Sequence, residues 1–151
     1  MAYFAVPRLI SWKTFDQIDG SVSAGCASQM PSNSDGLRAR VKHFATRVLR
    51  FVRTLPRDPA ATTVAHQLAR AGSGVSANYH SAGRSRSRAE FIARLGVVVD
   101  EADESVLWLT KTKDSGIACG AELEWLLDES RQLRAIFGAS LKTARRNRGD
   151  K

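Results

Sequence analysis

Arginine and serine alternate through Arg84-Ser85-Arg86-Ser87-Arg88, and Arg94 follows a turn or so later. A guanidinium is a planar fork that can hold two phosphate oxygens at once, so this grouping suits a nucleic-acid backbone. The same composition also suits a solvated turn between helices. A second run favours a charged surface: Arg38, Arg40, Lys42, Arg47, Arg50, Arg53 and Arg57 occur with no acid among them. Part of that charge is expected to face Asp100, Glu101, Asp103 and Glu104, within or between chains. The rest is left for a polyanion. The candidate contacts are Arg84, Arg86, Arg88 and Arg94, assisted by Arg47 and Arg50. No base-reading element is recognisable, so RNA or DNA would be held without regard to sequence.

Other chemistries find little support. Gly72-Ser73-Gly74-Val75-Ser76-Ala77 has the letters of a dinucleotide fingerprint, but that fingerprint needs a preceding strand and a turn that opens a helix. Here the glycines fall inside a helical stripe, where each costs about 1 kcal/mol relative to alanine. Close helix–helix approach is the better reason for them, with Ser73 and Ser76 packed against a neighbour. His66 and His80 belong to no Glu-x-x-His or His-x-x-x-His pair, so neither a carboxylate-bridged nor a zinc site is expected. No serine has a base and an orienting acid in a motif. The chain therefore reads as a non-enzyme without a cofactor or metal.

Composition agrees with a folded, basic protein. The 151 residues suffice for one domain, 43% are hydrophobic, and the formal charge is +8. That charge is uneven: residues 1–36 hold two cations and three acids, whereas the remainder hold 21 cations and 12 acids, a net of +9. Two cysteines, Cys26 and Cys119, have no metal-ligand spacing and predict no disulfide framework, which suggests the cytoplasm. No apolar run reaches the roughly 20 residues of a membrane span.

The elements that must position these side chains are all helical. Residues 1–36 lack periodicity and end in Cys26-Ala-Ser-Gln-Met30-Pro-Ser-Asn-Ser-Asp-Gly36, a run of turn-forming residues. They read as a poorly ordered extension, with Met30 as an alternative start. Val41, Phe44, Val48, Phe51 and Leu55 mark a first helix over 37–55. Pro56 breaks it, and Asp58 caps a second helix with Pro59 at its first position. Val64, Leu68, Ala71, Val75 and Asn78 form its stripe, and it stops near Gly83. Asn78 falls where an apolar residue would continue the stripe, and a buried amide there would fix helix register. Ser87 and Glu90 predict a capping box for a third helix, with Phe91, Leu95, Val98, Ala102 and Leu109 turned inward and Gly116 as its end. A fourth begins near Gly120 and carries Leu123, Leu126, Leu127, Leu133, Phe137 and Leu141. Residues 37–146 thus predict an up-down-up-down four-helix bundle, followed by a basic tail at 147–151.

One core leaves some apolar groups over. Val97 and Trp108 lie more than 90° from the third helix's stripe, and Trp125 and Ile136 oppose the fourth helix's stripe. Large outward apolar groups mark interfaces, so these four residues predict a homo-oligomer.

Residues 66–105, His66-Gln-Leu-Ala-Arg70 through Glu104-Ser105, resemble the small bacterial four helix bundle protein family. That family includes proteins encoded in intervening sequences of large-subunit ribosomal RNA genes and the accessory variability protein of diversity-generating retroelements. The resemblance extends over roughly residues 37–141. Gln67, Leu68, Arg70, Ala71, Ser73, Val75 and Asn78 carry it, followed by Arg86, Ser87, Glu90, Phe91, Leu95 and Glu104. The chain departs from the family at Asn78-Tyr-His-Ser-Ala-Gly83, where many members have an Asn-Ile-Ala-Glu-Gly type stretch. It departs again at Ala102-Asp103, where a Gly-Ser is familiar. The resemblance implies a homopentameric ring. For the retroelement members it also implies a basic surface that binds nucleic acid and a reverse transcriptase. Ser73, Asn78, Ser87, Glu90 and Glu104 then read as structural. The expected function is an oligomeric scaffold that binds RNA or DNA by phosphate contacts. The alternative is an adaptor docking an acidic protein without nucleic-acid binding.

Overall fold

Asp58 has extended backbone geometry, and its side chain accepts a hydrogen bond from the Ala61 amide at 2.9 Å, which starts a helix at Pro59. Ser87 does the same at the next helix start, accepting from the Glu90 amide at 3.1 Å. In the predicted capping box the Glu90 carboxylate would reach back to Ser87. It goes one residue further and accepts from the Arg86 amide at 2.9 Å, while its other oxygen accepts from Arg94. Gly116 and Gly120 have φ of +68° and +112°, a backbone that favours glycine, and together they turn the chain between the last two helices.

The computed structural model describes residues 33–146, with side chains from residue 36. Within them lie four helices: α1 Asn33–Val52, α2 Pro59–Ala82, α3 Arg88–Asp114 and α4 Ala121–Arg146. There is no strand among the described residues. The first helix begins at Asn33, four residues before the predicted edge of the bundle. Met30, Cys26 and the rest of 1–32, like the basic tail at 147–151, lie outside the described residues.

Short connections make successive helices antiparallel, and contacts run α1 to α2, α2 to α3, α3 to α4 and, less extensively, α4 back to α1. The four stripes meet in one core, in which Phe44, Leu68, Leu109, Leu123, Leu126, Leu133 and Phe137 are fully buried. The Tyr79 and Phe137 rings tilt against each other with centroids 5.2 Å apart. Ser105, Thr112 and Ser130 are also buried, and each hydroxyl donates to a carbonyl one turn back in its own helix.

The glycines serve close approach, as their place in the stripe predicts. Gly72 faces Val48 of α1, and Gly74 faces the Glu101 carboxylate of α3. Asn78 is only half-buried, and its amide donates to the Gly74 carbonyl at 2.9 Å. That bond is internal to α2, so the expected cross-helix register lock is not what it makes.

Glu101 is the costly group of this interface. Its Oε2 is buried with no hydrogen-bond partner, and its carboxyl titrates above the usual range. Desolvation is the main cause, reinforced by Glu104 and Asp100 and opposed by Arg70. A raised folded value means that ionisation weakens the fold at neutral pH, and that stability is regained as pH falls through that value. Glu101→Gln is expected to melt higher than the wild type at pH 7.5, with the gap narrowing at pH 5. Parallel thermal melts check this, and a gap that is constant with pH would count against it.

Candidate nucleic-acid interface

An even number of antiparallel helices puts the start of α1, the α2–α3 turn and the end of α4 at one pole. The sequence loads that pole with cations. Arg84 and Arg86 on the turn, and Lys142, Arg145 and Arg146 on the last turns of α4, are exposed and make no ion pair among the described residues. Arg88 donates to the Ala144 carbonyl at 2.7 Å, which ties the turn to the C-terminal end of α4, where exposed carbonyls favour a cation. Arg94 pairs with Glu90 at 2.8 Å. Glu90 is the one acid with a described side chain at this pole. Its carboxyl is held below the usual range, first by the Arg86 amide and then by the Arg94 guanidinium.

Of the six predicted contacts, Arg84, Arg86, Arg88 and Arg94 therefore come together. Arg47 and Arg50 do not join them. Arg47 reaches across to α4, where it grips Glu122 with both branches, one through Nε at 2.9 Å, and lies 3.6 Å over the Trp125 ring. The hydrogen bond holds the Glu122 carboxyl below its usual range and raises the Arg47 guanidinium. Arg47 is a brace between helices rather than a free phosphate ligand. Arg50 is exposed without an ion pair among the described residues, but sits in the last turn of α1, toward the opposite pole.

Within the chain, the acids of α3 pair differently from the expectation. Glu104 accepts from Arg70 of α2 at 3.1 Å, and Asp103 from Arg134 of α4 at 2.6 Å. The reason is position: α1 lies diagonally across from α3. Its own arginines turn to α4 instead, where Arg40 meets Glu129 at 2.6 and 2.8 Å and Gln132 at 2.6 Å.

The predicted interface residues separate as well. Val97 is 43% exposed. Both tryptophans are half-buried and packed on the core, not laid open to water. Trp125 is covered by Arg47 and by the His43 ring at 5.6 Å. Trp108 donates from Nε1 to Glu104 at 3.2 Å and has the Lys111 ammonium 4.3 Å from its ring centroid. Ile136 is half-buried. The outward apolar groups that the periodicity argument passed over are Leu49 at 46% and Leu107 at 49% exposure. Leu107 points directly away from the Val98–Leu109 stripe on a 100° wheel, a signal present in the sequence.

A groove of about 700 Å³ runs between α1 and α2. Arg38, Lys42 and Arg84 line one end, Leu49 the other, and Ala45, Ser73 and Ala77 lie between them. Ser73 and Ser76 thus line a groove rather than a tight contact. His80 lines it too, and His66 is exposed on the same helix. No cluster of three His, Cys, Asp or Glu with metal-binding geometry occurs among the described residues. Nor is any helix among them long and apolar enough to cross a membrane.

No family model matches the chain, and no curated protein matches it. Among solved structures it is similar to a protein of unknown function from the S23 ribosomal protein family of Bacteroides thetaiotaomicron. The two are 22% identical, with a TM-score of 0.66 over 72% of this chain and 97% of the other. At that identity the likeness carries the fold alone: an all-α bundle shared with a bacterial protein.

Proposed function

We propose that this chain is a non-enzymatic helical scaffold of the bacterial cytoplasm that assembles with copies of itself and holds RNA or DNA through phosphate contacts at its basic pole. The observation that carries the reading is the convergence of Arg84, Arg86, Lys142, Arg145 and Arg146 at one end of the bundle, where the single described acid is already engaged. Arg88 and Arg94 shape the site while holding structural partners of their own. The bacterial four-helix family, its ring of five and a reverse-transcriptase partner belong to the same proposal, on the strength of the sequence resemblance.

Binding of this kind is dominated by counterion release, so log K should fall linearly with log salt, with a slope of about −0.7 to −0.9 per phosphate contact. Arg84→Glu/Arg86→Glu is expected to weaken binding to structured RNA by at least tenfold and to flatten the slope by about two. Fluorescence anisotropy titrations between 50 and 200 mM salt check both. An unchanged slope, or no binding by the wild type at the lowest salt, would remove the nucleic-acid reading. A protein partner captured by the wild type and lost on charge reversal at Arg86 and Arg88, with no measurable RNA binding, would instead favour the adaptor.

A further inference from the structure

Among the described residues, Leu49, Val97 and Leu107 are the large apolar side chains left most exposed, and they lie on two different faces. Leu49 closes the apolar end of the α1–α2 groove. Val97 and Leu107 lie on the outer side of α3, with Asp100 and Glu104 between them in the same stripe. Asp100 is exposed and makes no ion pair among the described residues.

The two surfaces share a register. Along α1, positions 39, 42, 46 and 49 form one stripe, and along α3 positions 97, 100, 104 and 107 form another, both with steps of three, four and three. Each takes ten residue steps, about 15 Å at the helical rise. Aligned in parallel, they set Leu107 on Leu49, Asp100 opposite Lys42 and Val97 on Ala39. Ala45, Ser73 and Ala77 give the groove a floor of small side chains, which lets a neighbouring helix come close.

We propose that the α3 stripe of one copy seats in the α1–α2 groove of the next, with the leucines in contact and Asp100 beside Lys42. This deepens the self-assembly half of the proposed function and does not depend on nucleic acid. A phosphate backbone fits the groove less well, because the cations gather at one end and Tyr79, 5% exposed and packed on Phe137, offers no face to a base. The contact is heterologous: each copy offers one groove and one stripe on different faces, so assembly closes into a ring or grows as a filament. The apolar ends supply the attraction; reversed, the stripe would put Glu104 opposite Lys42, but Glu104 is already held by Arg70 and Trp108, so the pairing of Asp100 with Lys42 sets the direction.

The experiment uses the full chain, free of nucleic acid, in light scattering coupled to size exclusion, with circular dichroism to confirm the fold. Leu49→Asp and Leu107→Asp change exposed positions, so each is expected to fold and to run as one chain of about 16.5 kDa, whereas the wild type runs as a larger assembly. An equal mixture of the two variants retains one intact stripe and one intact groove, and should give a species of twice that mass and no larger. Lys42→Glu and Asp100→Lys should each shrink the assembly, and the double variant should restore it. A wild type that is monomeric at tens of micromolar would overturn the proposal. So would single variants that assemble normally, or a mixture that yields no two-chain species. Since none of these readouts involves RNA, failure here leaves the salt-dependence test standing.

Discussion

Replacing Arg40 by methionine is expected to lower the unfolding free energy by about 2–3 kcal/mol. The Glu129 side chain is only 9% exposed, and Arg40 covers both of its oxygens. Taking away the guanidinium strands a carboxylate beneath the α1–α4 seam, a loss of about 3–5 kcal/mol for a fully buried pair. The 36% exposure of Arg40 admits water and reduces that figure. Arg40→Met/Glu129→Leu should recover most of the loss, because it removes the stranded charge together with its partner. Chemical denaturation of the three proteins at pH 7.5 checks the set. Equal stability of Arg40→Met and wild type at pH 7.5 would show that the pair contributes nothing.

Gly72→Ala and Gly74→Ala are the second case, and their outcomes should diverge. A Cβ at residue 72 would stand 2.8, 3.0 and 3.1 Å from the Cγ1, Cγ2 and Cβ of Val48. Valine is stiff about χ1, so α1 and α2 must separate. Overpacking costs of about 1–3 kcal/mol offset or exceed the gain of about 1 kcal/mol from alanine's helix propensity, for a net loss of up to about 2 kcal/mol. The melting temperature should drop by up to roughly 8 °C. A Cβ at residue 74 would meet the Glu101 carboxyl carbon at 2.5 Å, but that group ends a flexible side chain and can swing aside. Gly74→Ala should therefore stay within about 1 kcal/mol of wild type. Adding Val48→Ala to Gly72→Ala should reduce the loss below the sum of the single effects, the mark of a direct contact.

These contrasts show what could be read in advance. Helix starts at Pro59 and Arg88 were legible because Asp58, Pro59, Ser87 and Glu90 satisfy backbone donors locally. Gly116 and Gly120 marked a turn for similar local reasons. The inward stripes were legible because burial repeats with the helical period. Neighbours across the bundle were not. A wheel shows which side of α1 is apolar, but not that Arg40 and Arg47 will find Glu129 and Glu122 on α4 while α3 sits diagonally opposite. For the same reason Trp125 looked exposed from its own helix. Its cover comes from Arg47 and His43, 78 and 82 residues away along the chain. Among the candidate phosphate contacts, the cluster around Arg86 held together because it is local. Arg47 was drawn off by a long-range acid that no spacing rule reveals.

The return of α4 to the side where α1 sets out has a practical consequence. A purification handle or fluorescent protein joined directly before Asn33 or after Arg146 would sit beside the arginine-rich end and crowd the surface offered to polyanions. Reporter groups are better placed at the far end, in the connections 53–58 or 115–120, where Cys119 already presents an exposed thiol for labelling.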